Sequence, residues 1–220
     1  MQRATFIFAL LLAVFPVGGR LTAASGQKGK VIDGIAARVE GDIITESEVR
    51  ELASFQQLVE GKAGSRQDVL GELIDQWIVR AEAANAKYPE PQDADVESDL
   101  TRLRKQFLST EAYEARLAEL GLTDGAVRRL IRQELYLTQF LRYKFRPAVQ
   151  VDRKQIEAYY QRELLPELKK HGEGPPALEG VEEKIQDVLV EREINRLAAR
   201  WLDETKSRLQ IDLTPVGNVE

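Results

Sequence analysis

Over most of the chain apolar residues recur at intervals of three and four, and the breaks between these stripes mark out the elements. The stretch 35–39 is the first exception. There Ile35, Ala37 and Val39 alternate with more exposed positions, which predicts a short half-buried strand. Glu40-Gly41-Asp42 supplies a turn, Ile43-Ile44 leaves it, and Thr45 with Glu48 three places later forms a capping box that opens a helix. That helix carries Val49, Leu52, Phe55 and Leu58 on one face and stops near Gly61. A second spans 66–86, with Val69, Leu70, Leu73, Ile74, Trp77, Ile78 and Ala81, until Tyr88-Pro89-Glu90-Pro91 forbids continuation. A third, starting near 93, buries Val96, Leu100, Leu103 and Phe107. Ser109-Thr110 caps a short fourth helix (Tyr113, Leu117, Leu120), closed by Gly121.

Thr123 opens a long fifth helix whose apolar set is Val127, Leu130, Ile131, Leu135, Leu137, Phe140 and Leu141, ending before Pro147. A sixth begins at Val151-Asp152 and contains Ile156, Tyr159 and Tyr160. The stretch 167–176 reads as a polar, breaker-rich loop. One more long helix runs over 178–209 on the stripe Val181, Ile185, Leu189, Ile194, Leu197, Trp201 and Leu202, and Ile211-Asp212-Leu213 is placed to form a closing strand. The stripes hold no strict heptad throughout, so packed helices are expected and not a coiled-coil rod. The fold class predicted is mostly α: a multi-helix module with a small β-sheet or hairpin near the N-terminus, which the C-terminal strand is placed to join.

The first residues follow another pattern. Arg3, an apolar core from Phe6 to Phe15, and small residues at Thr22 and Ala24 are the parts of a secretory signal, with cleavage expected after Ala24. The apolar run falls short of the roughly 20 residues that span a bilayer, so the mature chain is expected to have no membrane span. The mature chain would hold 29 basic against 36 acidic residues. That balance disfavours nucleic acid as a partner, because phosphate binding wants a basic surface. The chain has no cysteine, which excludes thiolate catalysis, thiol redox chemistry and thiolate-ligated metal.

The search for other chemistry returns little. His171 is the one histidine and lies beside Gly172, Gly174, Pro175 and Pro176, which leaves a serine–histidine–acid triad without an ordered scaffold. Zinc would need mostly carboxylates. No glycine-rich phosphate loop occurs, and the acidic pairs Glu46/Glu48, Asp93/Asp95 and Glu182/Glu183 read as helix N-terminal charge. No cofactor, metal or catalytic residue is expected. What remains is aromatic and apolar surface, which marks binding sites where it is left exposed.

The order of segments resembles the SurA family of periplasmic chaperones. The resemblance rests on Ile35-Ala36-Ala37-Arg38-Val39, Ile43-Ile44-Thr45-Glu46-Ser47-Glu48-Val49, Val69-Leu70-Gly71-Glu72-Leu73-Ile74-Asp75, Leu120-Gly121-Leu122-Thr123, Val127-Arg128-Arg129-Leu130-Ile131-Arg132-Gln133-Glu134-Leu135 and 151–160. The helix to Trp201 and the closing Ile211-Asp212-Leu213 look like the family's C-terminal segment. Two departures stand out. Parvulin-type isomerase domains commonly sit before that last helix, and 165–180 is far too short for one; such sites also use histidines and a sulfur or acid residue, and this chain offers His171 and Met1. Isomerase activity is not carried over. The Tyr88-Pro89-Glu90-Pro91 linker also departs from the simpler turn of relatives.

The resemblance implies a periplasmic, ATP-independent chaperone that binds unfolded or nascent envelope proteins, outer-membrane proteins among them. A structural adaptor docking one folded envelope partner is the alternative. The organisation expected is a signal peptide (1–24), a mobile leader (25–30), one domain over 31–214 and a tail (215–220). Within the domain, 31–163 is the N-terminal helical segment, 164–180 the loop, and 181–214 the C-terminal helix and strand. The client-binding candidates are Phe55, Trp77, Phe107, Tyr113, Leu117, Phe140 and Tyr143.

Overall fold

The computed structural model describes residues 33–172 and 174–214. The expected signal peptide, leader and tail lie outside them. Strands β1 (Ile35–Val39) and β2 (Asp42–Thr45) form an antiparallel hairpin. Glu40 and Gly41, at φ 50° and 93°, make its two-residue turn. Two successive positive φ values match the right-handed twist of the strands. Ala36 and Ala37 are both fully buried, where strict alternation would expose one of them. The cause is a register shift between Ile35 and Ala37, a bulge that turns two successive small residues inward. β3 (Ile211–Leu213) pairs antiparallel with the other edge of β1, giving the order β2-β1-β3. The C-terminal strand therefore joins the sheet as expected.

Helix α1 (Glu46–Glu60) starts at the capping box read from the sequence. The Glu48 N–H donates to the Thr45 hydroxyl at 3.2 Å, and the Thr45 N–H donates to the Glu48 carboxylate at 2.7 Å. Two orphan donors are thereby satisfied. Gly61 ends α1 in the left-handed conformation at φ 75°. α2 (Arg66–Asn85) repeats the box with Ser65 and Asp68. α3 (Asp93–Arg104), α4 (Thr110–Leu120) and α5 (Asp124–Phe145) follow. α3 ends at Arg104, so Phe107 sits in the turn beyond it and not on the helix face assigned from its spacing.

Contacts divide the described residues into two compact units, 33–151 with 189–214, and 152–188. In the larger unit the main apolar cluster joins Val39 and Ile44 of the sheet to Val49, Leu52, Phe55 and Leu58 of α1 and Val69, Leu70, Leu73, Ile74 and Ile78 of α2. It continues through Val96 and Leu100 of α3, Leu117 of α4 and Val127, Leu130, Ile131 and Leu135 of α5. A second cluster gathers Val79, Ala83, Tyr136, Leu137 and Phe140, with Tyr88 and Trp201 against it. In the smaller unit, α6 (Arg153–Tyr159) continues through a π turn (Tyr160–Leu164) into α7 (Leu165–Lys170). The loop expected over 164–180 thus begins as helix. Pro166, without an N–H, cannot complete the i−4 ladder, and the Leu165 N–H reaches back five residues to the Tyr160 carbonyl. The rest of that stretch holds a 3-10 turn (Leu178–Gly180) before α8 (Glu182–Lys206), the C-terminal helix. Among the described residues no helix is long and apolar enough to cross a membrane.

The end of α2 carries a strained cap. The Tyr88 N–H donates to Ala83 O and the Lys87 N–H to Ala84 O, a Schellman motif, yet its left-handed position is filled by Lys87 at φ 51°. A side chain there costs about 1 kcal/mol that glycine avoids. Lys87→Gly is therefore expected to stabilise the protein by up to about 1 kcal/mol, read as a higher urea midpoint at unchanged slope. An unchanged or lower midpoint would contradict the assignment.

Candidate client-binding surface

The seven candidate residues do not come together in one open groove. Phe55, Tyr113, Leu117 and Phe140 are core side chains, because each sits on the inward stripe of its helix. In the folded module these four side chains are spent on packing. Trp77 and Phe107 are half-buried at the margin of the main cluster. Tyr143 alone of the seven is exposed, at 63%.

Two local groupings do form. In the first, Phe107 meets the Tyr113 ring edge-on with centroids 5.3 Å apart. The Tyr113 hydroxyl donates to the Asp124 carboxylate at 3.1 Å, and the Arg104 guanidinium, paired with the same carboxylate, lies 5.5 Å over the ring. Burial, and then the Asp124 charge, raise the Tyr113 hydroxyl above its ordinary value. It therefore remains a donor, as a stacked and hydrogen-bonded tyrosine must. In the second, Tyr143 and Phe140 both reach Tyr88, at 5.2 and 5.5 Å between centroids. Tyr88 in turn touches Tyr136 at 6.0 Å. Pattern reading missed Tyr88 as a partner because it lies outside any helix; the signal available was an aromatic directly before Pro89.

Sequence reading also passed over the other exposed apolar side chains: Ile43, Val59, Leu108, Val188 and Leu213. Leu108 is the most exposed. It occupies the position before the cap of α4, where an apolar residue often staples onto the first helical turn. Phe107 has taken that role against Tyr113, and Leu108 is left in solvent.

Polar groups around the apolar clusters are paired across elements. On α5, Arg129 meets Glu51 of α1 at 2.5 Å, Arg132 meets Asp93 of α3 at 2.7 Å, and Arg128 pairs with Glu97 of α3. Arg66 pairs with Glu46, and that contact holds the Glu46 carboxyl below its ordinary value. The Trp77 indole N–H donates to Asp42 at 2.9 Å, fixing α2 to the hairpin. At the C-terminal end of α8, Lys206 lies 2.6 Å from Asp75 of α2. Lys144 of α5 bridges Glu82 of α2 at 2.6 Å and the Trp201 ring at 4.9 Å. Among the described residues no group of three or more His, Asp or Glu is placed to hold a metal ion. A shallow depression along α3 is lined by Ala94, Glu97, Ser98, Thr101, Arg102 and Lys105.

The architecture is that of a mostly helical module closed by a small sheet. The chain belongs to the SurA-like N-terminal domain family, whose model matches residues 2–141. A relative is the chaperone SurA of Ralstonia nicotianae (strain ATCC BAA-1114 / GMI1000), 32% identical over 132 residues. The match covers 55% of this chain and 26% of that protein, so this chain corresponds to about a quarter of the relative's length.

Two expectations follow. Phe140 is 1% exposed, and Phe140→Ala is expected to cost about 3–5 kcal/mol in urea unfolding, whereas Tyr143→Ala stays within about 0.5 kcal/mol. The second concerns Asp75. Burial pushes its carboxyl above the ordinary 3.8, against the pull of Lys206, and Asp203 adds to the rise. Native Asp75 then holds a proton that the unfolded chain has released. Its contribution to stability accordingly falls as pH climbs from 3.8 through the raised native value. Asp75→Asn should remove that slope. Urea midpoints of the two proteins between about pH 3 and pH 7 measure it, and parallel curves would refute it.

Proposed function

We propose that this protein is an ATP-independent chaperone of the periplasm, holding unfolded envelope proteins, outer-membrane proteins among them, without prolyl isomerase activity. The observation that carries the reading is the family match over residues 2–141. The distribution of apolar side chains supports it. Ile43, Val59, Leu108, Tyr143 and Leu213 are separate exposed points on the larger unit, with half-exposed Trp77 and Phe107 between core and solvent. Contacts of this kind are individually weak, and ordering an unfolded client costs entropy, so binding is reversible. That suits a holdase, which must release its client. Tyr143, exposed and in tilted ring contact with Tyr88, is the strongest of the seven candidates. Phe55, Tyr113, Leu117 and Phe140 reach a client only when the helices part.

The test is direct. An unfolded outer-membrane porin diluted from urea should scatter less light in the presence of the purified chain lacking residues 1–24, with no nucleotide added. Tyr143→Ala should weaken that protection while leaving unfolding unchanged. A proline-peptide isomerisation assay should stay at background. Undiminished aggregation at several-fold excess, or recovery from periplasm of one stoichiometric folded partner in place of many unfolded clients, would overturn the reading in favour of an adaptor.

A further inference from the structure

Among the strands of the larger unit, β3 is the one least held by its side chains. It places three residues on the ladder: Ile211, Asp212 and Leu213, opposite Val39, Arg38 and Ala37. Main-chain bonds close both ends, from the Thr214 N–H to Ala36 O and from the Glu40 N–H to Gln210 O, each 3.0 Å. Its side chains bury little. Ile211 is half-buried, Asp212 is exposed, and Leu213 is 62% exposed. The strand beneath is the reverse, with Ala36, Ala37 and Val39 fully buried. Backbone bonds therefore hold β3 more than packing does, and a backbone ladder accepts extended chain of almost any sequence.

We propose that the β1 edge is a docking site for extended segments of an unfolded client, occupied in cis by residues 211–213 and opened when a client strand displaces them. The proposal rests on the chaperone reading above. The chemistry of the ligand follows from the cis occupant. The residue opposite Val39 meets the inward face of the sheet, where Ile211 is half-buried, and the one opposite Ala37 lies at its margin, where Leu213 is largely exposed. The residue opposite Arg38 shares the outer face with Arg38 and, across β1, Ile43. An acidic or polar side chain fits there, as Asp212 does now. The preferred segment is thus apolar–acidic–apolar in extended form, the pattern of Ile211-Asp212-Leu213 itself.

The bonds at Thr214 and Glu40 make 36/214 and 40/210 hydrogen-bonded pairs, so by alternation 37/213 is a non-hydrogen-bonded pair. Such pairs have the closest Cα approach in an antiparallel ladder and fit the span of a disulfide. The chain has no cysteine, so a variant carrying Ala37→Cys and Leu213→Cys forms one bond that locks β3 in place. Val39→Cys with Ile211→Cys serves if the first pair fails to fold.

The probes are a fluorescent peptide of alternating apolar and acidic residues and the urea-unfolded porin. The oxidised lock should bind the peptide about ten-fold or more weakly, and reduction should restore binding. In the unlocked protein, peptide should speed amide exchange at 211–213. Equal binding by oxidised and reduced forms, or peptide binding with 211–213 still protected, would overturn the proposal. So would a dimer that forms without peptide and is abolished by the lock, which would make a second copy's strand the occupant. Porin protected equally by locked and unlocked protein removes this site and leaves the chaperone reading intact. Porin protected by neither removes both.

Discussion

Burial of one face of α5 is the interaction on which the larger unit depends. Val127, Leu130, Ile131 and Leu135 enter the main cluster, and Phe140, farther along the helix, anchors the second. Only α2 matches it in supplying buried side chains to both clusters. The arginines on the rim of the same helix then fix its neighbours in register: Arg128 and Arg132 reach α3, and Arg129 reaches α1. These pairs are partly exposed, so each adds little energy alone. Their value lies in direction, since apolar packing alone would tolerate rotation of α3 against α5.

Much of this architecture was legible in the sequence because the elements announce themselves locally. The capping box at Thr45/Glu48 and the stops at Gly61 and Gly121 are short-range chemistry, and the structure uses each one. The misses are equally instructive. Regular alternation puts Ala36 outward, and the bulge, a tertiary event, turns it inward. The spacing of Phe107 from Leu103 fits a helix, yet α3 ends at Arg104 and Phe107 meets Tyr113 from the turn beyond. The breakers over 172–180 predict a loop that takes in Leu165–Lys170 as well; a π turn lets helix pass Pro166 and reach Lys170.

The candidate surface was harder to read for a physical reason. A stripe at helical spacing says which side chains face inward together, and for Phe55, Tyr113, Leu117 and Phe140 inward means core. Exposure of an apolar residue is the property that matters for binding, and it depends on what packs over the residue from elsewhere in the chain. Tyr143 is exposed and Phe140 buried although three residues separate them on one helix. No local pattern distinguishes the two. The exposed points are, moreover, separate side chains on different elements, which favours many weak and exchangeable contacts over one deep pocket.

The π turn at Tyr160–Leu164 has a consequence for the length of the chain. One extra residue in a turn advances every later side chain by about 100° around the axis. The residues of α7 consequently face a direction that the stripe of α6 does not foretell. Helix thus runs on from α6 into α7 with its phase slipped by one position. Gain or loss of a single residue here changes which way the following helix faces while leaving it a helix. At this point in the chain, orientation and continuity are set by different residues.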